Sequence, residues 1–251
     1  MSSLKINSLS FERNNQKVLN NISLEIIPSK VTGLVGSSGS GKSTVLKILL
    51  GFPFPEKTRL AGQILVNGST EYDRRIIQPV FQDPMAYFNP AWTMSEILEE
   101  PLHILFRLSA EEKQKRISAY LERMQIDRQS LGRNIKNFSG GQLQRIAIIR
   151  ALLCKPAFLL MDEPVSALDR VVQEEVLEMT ASLVREENVG VLFISHDLAA
   201  VAKISDYIYV LHKGRIVEEG TAGQILDSPS SPEAKSLVEA RDLSGIRFLL
   251  S

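Results

Sequence analysis

Gly36-Ser37-Ser38-Gly39-Ser40-Gly41-Lys42-Ser43-Thr44 has the residue types and spacing of a phosphate cradle, G-x-x-x-x-G-K-[ST]. The glycines let backbone amides converge on phosphate oxygens, and a following helix N-terminus adds favourable partial charge. Lys42 is placed to reach β- and γ-phosphates, and the Ser43 hydroxyl to ligate Mg²⁺. A carboxylate pair for the same site follows at Asp162-Glu163, after the apolar run Phe158-Leu159-Leu160-Met161. Asp162 closes a buried strand and suits the Mg²⁺ shell, directly or through water. Glu163, one residue on, points differently and can polarise an attacking water. His196 follows a second apolar strand, Val191-Leu192-Phe193-Ile194-Ser195, and could hydrogen-bond a γ-phosphate or that water. Gln82 ends a third strand, where a neutral amide can hold water and metal without adding charge. Ser139-Gly140-Gly141-Gln142 opens a helix and is a second anion site in form. Two phosphate sites in one chain suggest that one of them serves another subunit.

These residues need strands that end together. Val31 to Val35 reads as a buried strand entering the glycine-rich loop, and Thr44 to Leu50 as a helix with one buried face. Ahead of them, Leu4 to Phe11 and Val18 to Ile27 read as an antiparallel hairpin with a four- to six-residue connection around Asn14-Asn15. Ala61 to Val66 adds a strand that ends at the turn signal Asn67-Gly68. Ile76 to Gln82 is a further strand. Between Pro84 and Pro101 the chain becomes rich in proline and aromatic residues, including Tyr87, Phe88 and Trp92. Ser95 to about Ile126 is helical and charged, with Ser109 and Glu112 in capping-box positions. Helices over Gln142 to Leu153, Val171 to Arg185 and Leu198 to Ile204 alternate with strands over Ala157 to Met161 and Gly190 to Ser195. Tyr207 to Leu211 and Arg215 to Glu219 form a hairpin across Lys213-Gly214. The alternation predicts an α/β fold with a mainly parallel sheet.

The 29 basic and 29 acidic residues cancel, so no charge excess points to nucleic acid as a partner. The single cysteine, Cys154, excludes an internal disulfide. No apolar run approaches the ~18 residues a membrane span needs. Met1 to Lys5 lacks the apolar stretch of a signal peptide. A cytoplasmic location is expected, with any membrane role exercised through a partner.

The order of these elements resembles that of the ATP-binding cassette (ABC) family, the ATPase subunits of ABC transporters. Walker A is Gly36 to Thr44, and the Q-loop glutamine matches Gln82. The signature stands as Phe138-Ser139-Gly140-Gly141-Gln142, with Phe138 where leucine is usual. Walker B is Phe158 to Asp162, Glu163 matches the catalytic glutamate, Ser166 to Asp169 the D-loop, and His196 the switch histidine. The resemblance covers about residues 4 to 225. It implies a P-loop NTPase fold: a RecA-like core, an N-terminal antiparallel β subdomain and a helical insert over about residues 84 to 150. Residues 226 to 251 are left as a short helical tail. The family often stacks adenine on an aromatic residue before the first hairpin turn. Here that position looks like Arg13, with Phe11 on the same face if the strand alternates regularly, so both are carried as candidate base contacts.

The resemblance implies ATP and Mg²⁺ as ligands. Two ATPase subunits would sandwich two ATPs, each loop facing the other chain's Ser139 to Gln142, and Asp169 is carried as the D-loop residue. Val80-Phe81-Gln82-Asp83-Pro84, Phe88-Asn89-Pro90-Ala91-Trp92 and Glu99-Glu100-Pro101-Leu102 look like importers of the oligopeptide, dipeptide, nickel and metallophore group, and Asp162 to Asp169 like the second ATPase of its usual pair. The implied partners are that other ATPase in a heterodimer, two transmembrane permeases and an extracytoplasmic solute-binding protein. The implied place is the cytoplasmic face of the membrane, as a peripheral subunit. Two alternatives are a soluble ABC ATPase outside transport and a mainly regulatory nucleotide-binding subunit. The first would carry a long coiled coil or a duplicated cassette. Against the second stand intact Lys42, Asp162, Glu163 and His196.

Overall fold

The computed structural model describes residues 3–54 and 57–249. Pro55, Glu56 and the two outermost residues at each end of the chain, which include the close of the expected tail, lie outside it. β1 (Leu4–Arg13) and β2 (Gln16–Ile26) pair as an antiparallel hairpin. β3 (Val31–Val35) leads through the glycine-rich loop into α1 (Lys42–Leu50), and β4 (Thr58–Val66) returns to the free edge of β1. β5 (Ile77–Val80) is followed by α2 (Met94–Leu105), α3 (Ala110–Arg123) and α4 (Gly140–Leu153). Then come β6 (Phe158–Asp162), α5 (Arg170–Glu186), β7 (Gly190–Ser195), α6 (Leu198–Ile204), β8 (Tyr207–His212) and β9 (Arg215–Thr221). α7 (Ala222–Asp227) and α8 (Pro232–Leu249) end the described chain.

The strands form a three-stranded antiparallel sheet, β2-β1-β4, and a six-stranded sheet, β5-β6-β7-β3-β8-β9, parallel except for β9. β3 lies between β7 and β8, so the cradle springs from the interior of the sheet. Every residue of β3 and β7 is buried, as expected when both faces are covered. Strand alternation divides their side chains between two cores. Val31, Val35, Leu159, Met161, Val191 and Phe193 face α4, α5 and α6. Leu34, Phe158, Leu160, Leu192 and Ile194 face α1 and the antiparallel sheet. Burying each such side chain stabilises the fold by about 1.5–3 kcal/mol, so the strand ends that carry the chemistry are clamped from both sides.

Two sequence expectations change. The first hairpin turn is two residues long: Asn14 (φ 51°) and Asn15 (φ 61°) are both left-handed, as a tight primed turn requires, and asparagine tolerates this. The strand expected to reach Gln82 ends at Val80, and Ile76 closes a 3-10 turn whose Arg75 amide donates to the Asp73 side chain. Pro79 sits in β5, which is an edge strand, where its missing N–H does no harm. Phe11 and Arg13 do share a face, because β1 pairs with β4 without a shift from Ser10 to Arg13 and the extra residue at the shift opposite Phe11 and Glu12 is Val18 of β2, but the two differ in exposure. Phe11 is 2% exposed, whereas Arg13 is exposed.

The helix starts follow from local chemistry. α3 opens on the Ser109/Glu112 capping box and α2 on Thr93/Glu96, each satisfying amides that helical bonding leaves orphaned. Ile117, Tyr120 and Leu121 form the buried face of α3.

Candidate nucleotide site

α1 begins differently from α2 and α3. Its N-cap is Gly41 at φ 114°, and no side chain caps it. A residue with a Cβ would be strained there and would meet the Leu19 side chain at 2.7 Å. The Thr44 amide donates to the Gly41 carbonyl (3.0 Å), and the amides before it in α1 face the loop with no side-chain cap, as an anion requires. Lys42 is 8% exposed, and its Nζ donates to the Gly36 carbonyl (2.7 Å) and the Ser37 carbonyl (3.1 Å). Two of the three ammonium protons pin the loop, which leaves one for a ligand. Burial pushes this ammonium below the usual lysine range, and the nearby Glu163 and Asp162 pull it back up.

The two carboxylates reach the loop from the next strands. Asp162 is the last residue of β6. Burial and the adjacent Glu163 charge push its carboxyl above the usual range, against the pull of Lys42 and Lys47. Glu163 is left-handed (φ 50°), and its amide still donates to the Ile194 carbonyl at 2.9 Å. The backbone thus turns while the chain remains bonded to β7, and this aims the side chain at the end of β7. There Glu163 Oε1 accepts from the His196 amide (3.1 Å) and lies 2.8 Å from His196 Nδ1, while Oε2 accepts from Ser195 Oγ (3.2 Å). A carboxylate has about four acceptor sites, so capacity remains for a water.

One cavity of about 710 Å³ brings together Ser37, Ser38, Gly39, Gly41, Lys42, Ser43, Thr44, Gln82, Asp162, Glu163 and His196. Gly36 borders it through the carbonyl bonded to Lys42. Ser40 is buried beside it at 3% exposure, with its hydroxyl unpartnered among the described residues. The donor set fits Mg²⁺. Ser43 and Gln82 offer neutral oxygens, and Asp162 offers a half-buried carboxylate whose carboxyl is raised by burial and by Glu163. One or two carboxylates plus substrate phosphates are what Mg²⁺ usually takes.

Ser139, Gly140, Gly141, Gln142 and Asp169 do not border this cavity. Ser139 and Gln142 form a closed capping box on α4, with Gln142 N donating to Ser139 Oγ at 3.3 Å and Ser139 N donating to Gln142 Oε1 at 3.1 Å. Gly141 is buried against α5, where an added Cβ would lie 2.4 Å from Val172 Cγ1, so helix packing alone already requires glycine there. Asp169 caps α5 through the Val172 amide at 3.0 Å. Arg13 borders a second cavity beside the first. Phe11 forms the floor of that cavity, with its ring centroid 4.5 Å from that of Phe54.

Two contributors were not singled out from the sequence. Ser195 Oγ accepts from the Asp197 amide (3.0 Å), so its proton is directed at Glu163; its signal was its place immediately before His196 at a strand end. Gln144 is 2% exposed within α4 and donates to the Phe81 carbonyl (3.5 Å), tying the signature helix to the segment before Gln82. Its only signal was a glutamine beside the apolar run Ile146 to Ile149.

Residues 19–166 match the family model described as ABC transporter. Over 229 residues the chain is 39% identical to the dipeptide transport ATP-binding protein DppF of Haemophilus influenzae, covering 89% of this chain and 70% of that relative. It is 37% identical over 235 residues to the oligopeptide transport ATP-binding protein OppF of Lactococcus lactis subsp. lactis, covering 90% and 72%. Among solved structures, cbiO1 of Clostridium perfringens, described as part of the ABC transporter complex cbiONQ, superposes with a TM-score of 0.80 at 25% identity, covering 98% of each chain.

Proposed function

The chain belongs to the ABC transporter ATPase family, and from that premise we propose that its cradle binds MgATP and that Glu163 activates the hydrolytic water. The family membership makes it an ATP-hydrolysing subunit that powers import of a small solute. Peptide import is the reading its relatives' names favour. The residue roles rest on the cavity that joins Lys42, Ser43, Asp162 and Glu163.

In the proposed reaction, the free Lys42 proton and the α1 amides hold the phosphate oxygens as charge develops on them. Mg²⁺, held by Ser43 with Asp162 and Gln82, would neutralise charge on the β- and γ-phosphates. Glu163 orients a water and takes its proton, while Ser195 and His196 fix the carboxylate in place. His196, anchored to Glu163 but 62% exposed, is available to a γ-phosphate at the mouth of the site. Ser139 and Gly140, exposed on α4 and remote from their own chain's cavity, would complete a second subunit's site, with Asp169 near the junction. That subunit would be a related ATPase in a heterodimer. Pro84 to Pro101 would meet one of two permeases fed by a solute-binding protein. No helix among the described residues is long and apolar enough to cross a membrane, which is compatible with a peripheral subunit on the cytoplasmic face.

The carrying observation is the Glu163 carboxylate, held by Ser195 and His196 within the Lys42 cavity. Glu163→Gln should lower ATP turnover of the assembled complex by about 10²–10⁴-fold and keep ATP binding, read by phosphate release and by equilibrium binding. Turnover near the unsubstituted rate would overturn the role.

A further inference from the structure

The cavity beside the cradle contains an aromatic ring that packing does not explain. It measures about 560 Å³, is bordered by Arg13, Val18, Thr44, Lys47, Phe52 and Phe54, and shares Val18 and Thr44 with the phosphate cavity. A ligand whose phosphates lie on the α1 amides therefore has adjoining space for its base.

Phe52 is 45% exposed, yet its backbone is fixed. α1 ends in a Schellman cap, with Gly51 left-handed, the Gly51 amide on the Ile48 carbonyl (3.0 Å) and the Phe52 amide on the Lys47 carbonyl (3.0 Å). Pro53 further confines Phe52 to extended conformations. Two residues on, Phe54 is anchored on Phe11 at 4.5 Å. The segment is thus tied at both ends while the Phe52 ring stays open to the cavity, with the cations of Arg13 and Lys47 beside it. An exposed aromatic costs hydration, and holding it rigid gains nothing unless something flat covers it.

We propose that Phe52 is the stacking platform for the nucleotide base, with Arg13 flanking it. The inference rests on reading the cradle as an ATP site. The bordering side chains offer donors and an aromatic face but no carboxylate or amide acceptor for the adenine amino group. The base is then held by its face rather than by its edge, and guanine is accepted nearly as well as adenine.

The test is equilibrium binding of ATP, GTP and inorganic tripolyphosphate to the full chain and its Phe52→Ala, Phe52→Trp and Arg13→Ala variants. Expected are ATP and GTP affinities within about threefold of each other, an approximately tenfold loss of both in Phe52→Ala, rescue by Phe52→Trp, and unchanged tripolyphosphate binding. ATP binding unaltered by Phe52→Ala, or lost only in Arg13→Ala, overturns the proposal. Failure of the unsubstituted chain to bind ATP more tightly than tripolyphosphate instead overturns the ATP reading.

Discussion

The chain carries two glycine-rich helix starts, and they are built in opposite ways. At α1 the cap is a left-handed glycine, no side chain satisfies the amides, and the adjoining lysine is buried. At α4 a serine and a glutamine satisfy each other's amides on an exposed rim. The first leaves hydrogen-bonding capacity open and encloses it between strand ends. The second closes that capacity and keeps it at the surface. A phosphate would find α1 ready, but at α4 it must compete with Ser139 Oγ for the Gln142 amide and with Gln142 Oε1 for the Ser139 amide. An uncapped start suits a ligand bound by this chain alone. A capped, exposed one suits a ligand delivered on another surface, which replaces a long hydrogen bond of 3.3 Å with a charge-assisted one.

Substitutions can break this contrast. The largest effect is expected from Lys42→Ala, which removes both the loop pins and the ligand-facing proton. ATP affinity of the isolated chain should fall by about 100-fold in equilibrium binding, and a fall below threefold would remove α1 from the binding role. Ser139→Ala should leave ATP binding by the isolated chain unchanged and lower turnover of the assembled complex by about tenfold or more. Because the cap is also lost, unfolding should show a cost of about 1 kcal/mol. Equal loss in the isolated chain would erase the distinction between the two helix starts.

The smallest effect concerns Asp162. Its folded-state carboxyl is raised by burial and Glu163, so the ionised form costs stability in full above that pKa, and the cost fades as pH falls through it towards the ordinary aspartate value. Asp162→Asn should therefore raise the Tm of the ligand-free chain by about 2 °C near neutral pH. The gain should shrink in acid, and Mg²⁺-dependent ATP affinity should fall. A lower Tm near neutrality would show that the carboxylate is already compensated.

Much of this was legible in local sequence. The β3–loop–α1 unit and the Asp162 and His196 strand ends combine short-range chemistry with uninterrupted apolar runs, and both survive tertiary context. What was hidden depended on partners distant in the chain. The bulge in β1 around Ser8 (φ 51°) arises where that strand must pair with both β2 and β4. Gln82 lies beyond its strand because β5 runs alongside only Phe158 to Met161. Gly141 reads as a phosphate contact in its motif, but the need for glycine there is visible only once Val172 is opposite it. Phe52 follows a helix terminator and looks like loop until the cavity beneath it is seen.

The two bonds from Lys42 to the Gly36 and Ser37 carbonyls carry a kinetic consequence. The loop is already drawn into shape by its own cation, so the entropy of ordering it was spent during folding. Association need not wait for a slow rearrangement, and differences in affinity among nucleotides should appear mainly as residence times, with similar rates of capture.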